Sequence, residues 1–204
     1  MITKRRLVWL ALCIPLVLIA GCGEQSDNSD SNLTGVRADV SMVIEDAGVA
    51  TPGQIDVVQS ICDPGPPVVL EDFFDAQANV TFDTTNMGIA PTSPNLYIHS
   101  YEVYFTPVRT IDTNGNPQIP PDIPSYGFNQ DIWLPPDGIV TESVIVVPVS
   151  VKIFMSTSAY WAVPTNIQAF YTITIVFRGE SELGRDFDIN VSTSTLWANY
   201  DTCS

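Results

Sequence analysis

Basic residues are scarce in this chain. Its 204 residues include 8 Lys plus Arg against 23 Asp plus Glu, a formal net charge of −15. Binding of nucleic acid or of anionic lipid headgroups needs clustered basic side chains. The charge balance therefore argues against a nucleic-acid partner and against electrostatic docking on a membrane surface.

Side chains typical of metal and catalytic sites are also few. His99 is the single histidine, and the four cysteines show no Cys-x-x-Cys spacing. Zinc sites need several such ligands, and no phosphate-loop or Gly-x-Gly-x-x-Gly motif occurs. We therefore expect no metal, no cofactor and no catalytic residue, and favour a protein that is not an enzyme.

The longest apolar run is too short to cross a bilayer. It covers the 14 residues 7–20 and follows the basic residues Lys4, Arg5 and Arg6. A membrane-spanning helix needs roughly 20 apolar residues. A basic start, a short apolar middle and small residues at its end are typical of a secretory signal peptide.

The run closes on Leu18-Ile19-Ala20-Gly21-Cys22. This segment resembles the lipobox of bacterial lipoproteins. The resemblance implies cleavage after residue 21 and fatty acyl chains, such as palmitate, on Cys22. Two or more such chains anchor a protein stably in a membrane. Gly23 stands where an Asp resembles an inner-membrane retention signal, which implies the outer membrane of the cell envelope, with the domain facing the periplasm or the outside.

The rest of the chain is more acidic still. Without residues 1–21 it has 5 basic and 23 acidic residues, a net charge of −18. Residues 22–35 are polar and lack an apolar period, so we predict a flexible tether there. Cys62 and Cys203 then remain in an oxidising compartment, which predicts a disulfide between them, the alternative being two free buried thiols.

Apolar residues alternate with polar ones from Val36 onward, a pattern typical of β-strands. No amphipathic helix is evident. Seven strands with turn-rich joints predict an all-β fold, a two-sheet antiparallel sandwich over residues 36–204. The predicted strands cover residues 36–44, 54–62, 76–83, 97–106, 145–153, 171–178 and 186–197.

The strand pattern, Tyr101-Glu-Val-Tyr104 and the closing hairpin from Tyr171 to Trp197 resemble immunoglobulin-like or fibronectin-like domains of bacterial envelope lipoproteins. Residues 107–137 hold seven prolines, which predicts a long coil with a short strand at 132–134. Pro148 lacks an N–H group, so its strand should be an edge strand or bulged there.

Aromatic residues supply the candidate ligand-binding sites. Trp133, Tyr160 and Trp161 fall in predicted loops, where exposed aromatic rings stack on sugars or anchor a partner protein. The alternative is that the two tryptophans cover the ends of the core. The acidic cluster Glu71, Asp72 and Asp75 is interpreted as an exposed turn.

These features together predict a lipid-anchored bacterial envelope protein. Its sandwich domain is expected to be a non-catalytic interaction or structural module with an envelope protein as partner. The alternatives are a surface lipoprotein that binds carbohydrate or calcium, and a carboxylate-based hydrolase.

Overall fold

The computed structural model describes residues 26–27, 35–47, 49–57, 61–63, 69–70, 73–88, 94–111, 115–161 and 168–200. Thirteen strands and one helix lie in these ranges. The strands are β1 (Ser26–Asp27), β2 (Val36–Glu45), β3 (Gln54–Asp56), β4 (Ile61–Asp63), β5 (Val69–Leu70), β6 (Ala76–Asn86), β7 (Leu96–Val108), β8 (Thr110–Ile111), β9 (Pro117–Gln118), β10 (Tyr126–Leu134), β11 (Gly138–Val147), β12 (Gln168–Ser181) and β13 (Asp186–Ala198). The helix α1 (Val149–Ser156) lies between β11 and β12.

Two sheets packed face to face form the domain. One has the strand order β1-β2-β6-β11 and the other the order β10-β7-β12-β13-β3, while β4–β5 and β8–β9 are separate two-stranded ribbons. This confirms the predicted all-β sandwich. The sheets have more strands than the seven predicted, and β3 pairs with β13 in the parallel direction, so the fold is not wholly antiparallel.

Strand alternation accounts for the core. Along β6 and β13 every second side chain is buried, which gives each sheet one apolar face. Phe82 on β6 meets Phe177 on β12 edge to face, with ring centroids 5.1 Å apart. The ring of Tyr101 on β7 lies 5.8 Å from that of Phe177. Burial of these large rings supplies much of the apolar area that holds the sheets together.

The strand ends lie at two levels, which we call the tip and the base. Val36 pairs with Asn86, and Leu96 pairs with both Leu134 and Ser181. The tip therefore holds the start of β2, the β10–β11 turn and the β12–β13 turn. The base holds the end of β2, the start of β6 and α1.

The predicted strand over 145–153 is wrong in its second half. β11 ends at Val147, and the chain continues as α1, which buries Val151, Lys152 and Met155. Pro148 precedes the helix, where its missing N–H costs nothing. β11 is an edge strand, and its register shifts between Ile145 and Val147, so the expected irregularity lies just before the proline.

Two other predicted boundaries were also wrong. The coil assigned to residues 107–137 contains the nine-residue strand β10 instead of a short strand at 132–134. Tyr126, Phe128, Ile132 and Leu134 face the core on alternate positions. The polar residues 129–131, where the register shifts, interrupt this apolar alternation in the sequence. The strand predicted over 54–62 is divided into β3 and β4.

Candidate functional site

An open cleft of about 620 Å³ lies at the base of the sandwich. It forms where β2 ends and the chain turns toward β3, beside the segment that leads into β6. Its lining includes Glu45, Asp46, Val49, Pro52, Phe74 and Asp75. The Phe74 ring is 57% exposed, so the cleft presents an aromatic surface next to carboxylates.

The carboxylates at this cleft have structural partners. Glu45 Oε2 accepts a hydrogen bond from Asn79 Nδ2 at 3.1 Å. Asp75 Oδ1 accepts one from the N–H of Val149 at 2.8 Å and so caps the first turn of α1, which the preceding proline cannot do. Of the predicted exposed acidic turn, Asp75 is exposed and its hydrogen bond links the segment before β6 to the start of α1. Glu71 and Asp72 lie outside the described residues.

A buried ion pair lies at the side of the cleft. Lys152 Nζ on α1 is 2.5 Å from Oδ1 of Asp46, and the two side chains are 2% and 0% exposed. Asp46 Oδ2 also accepts the N–H of Asp56 at 2.8 Å. Burial raises the pKa of the Asp46 carboxyl, and the hydrogen bond and charge of Lys152 oppose that rise.

Sequence reasoning missed Asp46, Asp56 and Lys152. Asp46 and Lys152 are 106 residues apart, and no local sequence pattern indicates that they are in contact. One signal was present: Lys152 is the only lysine after Lys4, and it stands within an apolar run. A lone lysine among apolar neighbours is a candidate for a buried, paired ammonium group.

The predicted aromatic residues do not form one site. Trp133 on β10 is 54% exposed and lies opposite Tyr97, near the tip. Tyr160 donates a hydrogen bond to the carbonyl of Gln168, just before the part of β12 that pairs with the end of β7. The spacing along β7 places the two aromatic positions roughly 35 Å apart.

Tyr160 and Trp161 follow α1 as a packed pair. Their rings meet at right angles with centroids 5.0 Å apart, and both residues pack against the hydrophobic core. These two residues therefore cover the base of the core. Trp133 is the one member of the predicted set that presents its ring to solvent.

No group of three or more His, Cys, Asp or Glu able to hold a metal ion occurs within the described ranges. His99 is half exposed, and its Nε2 lies 3.8 Å from Oε1 of Glu180 on the neighbouring strand. In the part of the chain that the structure covers, no helix has the length and apolar character to cross a membrane.

Cys22 and Cys203 lie outside the described residues. The backbone of Cys62 belongs to β4, but its side chain is likewise outside them. Lipidation of Cys22 and the Cys62–Cys203 disulfide therefore remain predictions.

Several large apolar side chains are exposed at the tip. They lie after β6, on β10 and β11 close to their shared turn, and in the β12–β13 turn. We call them the tip residues: Met87, Trp133, Ile139 and Leu183. Ile139 is 70% exposed. Exposed apolar side chains also lie at the base, among them Phe74, Ile111 and Ile119. The tip is distinguished by an exposed tryptophan, a residue type enriched at protein interfaces.

No known protein family matches this chain, and no curated protein sequence matches it either.

Proposed function

We propose that this chain is a lipid-anchored protein of the bacterial envelope, with a β-sandwich that binds a protein partner through the tip residues. The lipobox-like segment supports the anchor and the envelope address. The observation that carries the binding role is the exposure of Met87, Trp133, Ile139 and Leu183 at one end of the fold. Tryptophan in particular is enriched among the residues that dominate binding energy at interfaces.

The pairing of β1 limits how far Cys22 can lie from the domain. Ser26 pairs with Val40 and Asp27 with Asp39, so β1 runs from the base toward the tip. Cys22 precedes Ser26 by four residues, which limits their separation to roughly 14 Å. An acylated Cys22 would therefore hold the domain close to the bilayer.

Two residues of the predicted tether, Ser26 and Asp27, are paired in this way with β2. Their pairing shortens the free length between the lipid and the domain. Such a short connection favours a partner that lies beside the same membrane over one captured far from it, because tether length sets the reach of the module.

The anchor is tested by Cys22→Ser in the native cell. We expect the variant to leave the membrane fraction or to accumulate unprocessed, because the acyl acceptor is missing. Retention of a cleaved C22S protein in the membrane fraction would contradict the anchor.

The interaction role is tested by crosslinking in cells that contain the full chain. Trp133→Ser and Ile139→Ser should each lower the yield of crosslinked partner. Matched controls exist at the base, where Ile111 and Ile119 are 72% and 61% exposed, and I111S and I119S should leave the yield unchanged. Equal yields from tip and base variants would overturn the assignment of the tip as the binding surface.

A second candidate function rests on the base cleft. Phe74 and the polar lining of this 620 Å³ space would suit a carbohydrate, since aromatic faces stack on sugar rings. Phe74→Ala should then abolish retention on immobilised glycans that the unaltered protein binds, while W133S should not. Absence of glycan binding by the unaltered protein would remove this candidate.

A further inference from the structure

A buried amine and a buried carboxyl group meet where α1 packs against the end of β2, and a second buried carboxyl group lies nearby. Lys152 Nζ lies 2.5 Å from Oδ1 of Asp46, closer than the roughly 2.7–2.9 Å usual for an ammonium–carboxylate hydrogen bond. The Phe73 ring centroid is 5.8 Å from the same nitrogen. The reacting groups of an amide condensation are therefore already in contact.

The second carboxyl belongs to Asp56, which is 3% exposed. Its main-chain N–H donates to Oδ2 of Asp46 at 2.8 Å. Covalent geometry keeps the Asp56 carboxyl within roughly 7 Å of that oxygen. Oδ1 of Asp56 accepts a hydrogen bond from the N–H of Tyr200 at 3.1 Å.

Burial makes the charged form of this cluster costly. An ammonium ion and a carboxylate each lose several kcal/mol of hydration when they leave water. Transfer of one proton from Lys152 to Asp46 converts the pair to a neutral amine and a neutral acid. Because both charges disappear in this transfer, burial of the pair favours it.

We propose that Lys152 and Asp46 condense to an intramolecular isopeptide bond, with Asp56 as the group that carries the proton. The inference does not depend on the proposed function. The bond would join β2 to α1 covalently and would resist both denaturant and reductant.

The step balances without a co-reactant. The neutral Lys152 amine attacks Cγ of the protonated Asp46 carboxyl, and the N–H of Asp56 stabilises the oxygen that gains charge. The Asp56 carboxylate takes a proton from the nitrogen and passes it to the departing hydroxyl. The C–O bond breaks, one water leaves, and Asp56 ends in its starting form. In water this condensation needs an activated carboxyl group. Here the fold holds the amine and the carboxyl in contact and away from water, which lowers the barrier to the reaction.

The sequence makes the test direct. Lys152 is the only lysine in residues 23–204, and the nearest arginines are Arg37, Arg109 and Arg178. Trypsin does not cleave after an acylated lysine. Digestion of the reduced, denatured full chain should therefore yield one branched species that joins peptide 38–109 to peptide 110–178, lighter than their sum by one water. Recovery of peptides 110–152 and 153–178 at full mass would overturn the proposal.

Two variants separate chemistry from folding. Lys152→Arg retains the positive charge and the tryptic site, but a guanidinium group does not condense with a carboxyl, so cleavage at position 152 should be complete. Asp56→Asn retains the main-chain N–H and the shape while removing the proton carrier, and should slow formation of the bond by about a hundredfold or more. An unchanged rate in D56N would overturn the role given to Asp56.

Discussion

The hydroxyl group of Tyr101 bonds both main-chain polar groups of Ile145. It donates to the carbonyl oxygen at 3.1 Å and accepts the N–H at 3.1 Å. Tyr101 belongs to β7 in the five-stranded sheet, and Ile145 lies on the edge strand of the other sheet, where the register shifts. The Tyr101 side chain thus reaches across the core and supplies hydrogen-bond partners for main-chain groups at the irregular end of β11, just before α1 begins.

We expect Tyr101→Phe to destabilise the fold by about 1–3 kcal/mol, because it leaves two main-chain groups without their partner in a largely buried place. Urea unfolding followed by circular dichroism measures the loss. Tyr97→Phe is the matched control, since the Tyr97 hydroxyl makes only a 3.3 Å hydrogen bond to the exposed Glu182. Equal stability of Y101F and Y97F would contradict the role of the cross-sheet contact.

The same hydroxyl predicts a loss of stability at high pH. Burial raises the pKa of Tyr101 from 10.0 to about 12. Between these values the unfolded chain ionises at this residue while the folded chain keeps the proton. The contribution of Tyr101 to the free energy of unfolding is therefore constant below about pH 10 and falls toward pH 12. Urea midpoints across this range should drop more steeply for the unaltered protein than for Y101F. Parallel curves would show that Tyr101 does not contribute.

Much of the fold followed from alternation alone. β2, β6, β12 and β13 bury every second residue, so the polar and apolar pattern identified them almost to their ends. α1 escaped because Val149, Val151 and Ile153 also fit a period of two. The buried Val151 and Met155 do have the i, i+4 spacing of a helix, but two positions in an eight-residue helix are too few to outweigh that alternation.

The candidate sites were harder to predict for a different reason. Trp133 and Tyr160 are both aromatic and both close to loops, but the strand order sends them to opposite ends of the sandwich. The contact of Asp46 with Lys152 depends on how α1 packs after Pro148, which is a tertiary feature. Residue type alone can identify candidate site residues in the sequence. Whether they lie together or apart depends on the topology of the fold.

We expect removal of one charge of the Asp46–Lys152 pair to lower the free energy of unfolding more than removal of both charges. Asp46→Asn leaves a buried ammonium group and Lys152→Met a buried carboxylate, each at about 3–5 kcal/mol. The double variant D46N/K152M leaves neither charge. All three variants lack the proposed amide, so their comparison isolates the cost of the unpaired charge.

Urea unfolding of the three proteins checks this expectation, and the double variant should be more stable than either single one. A double variant whose loss equals the sum of the two single losses would show that the charges do not interact.

Gly179 in β12 is a position where the fold tolerates no side chain. A Cβ atom there would overlap the carbonyl oxygen of Tyr97 on β7 and would lie 2.8 Å from Cζ of Phe187. The site falls where the β7–β12 register shifts, so the two backbones approach closely. Gly179→Ala should therefore cost about 1–3 kcal/mol or more in urea unfolding, because the backbone must move. Gly127→Ala on β10 is the control, since an added Cβ there meets nothing within 4 Å. Equal stability of G179A and G127A would rule out close packing of β7 against β12 at this point.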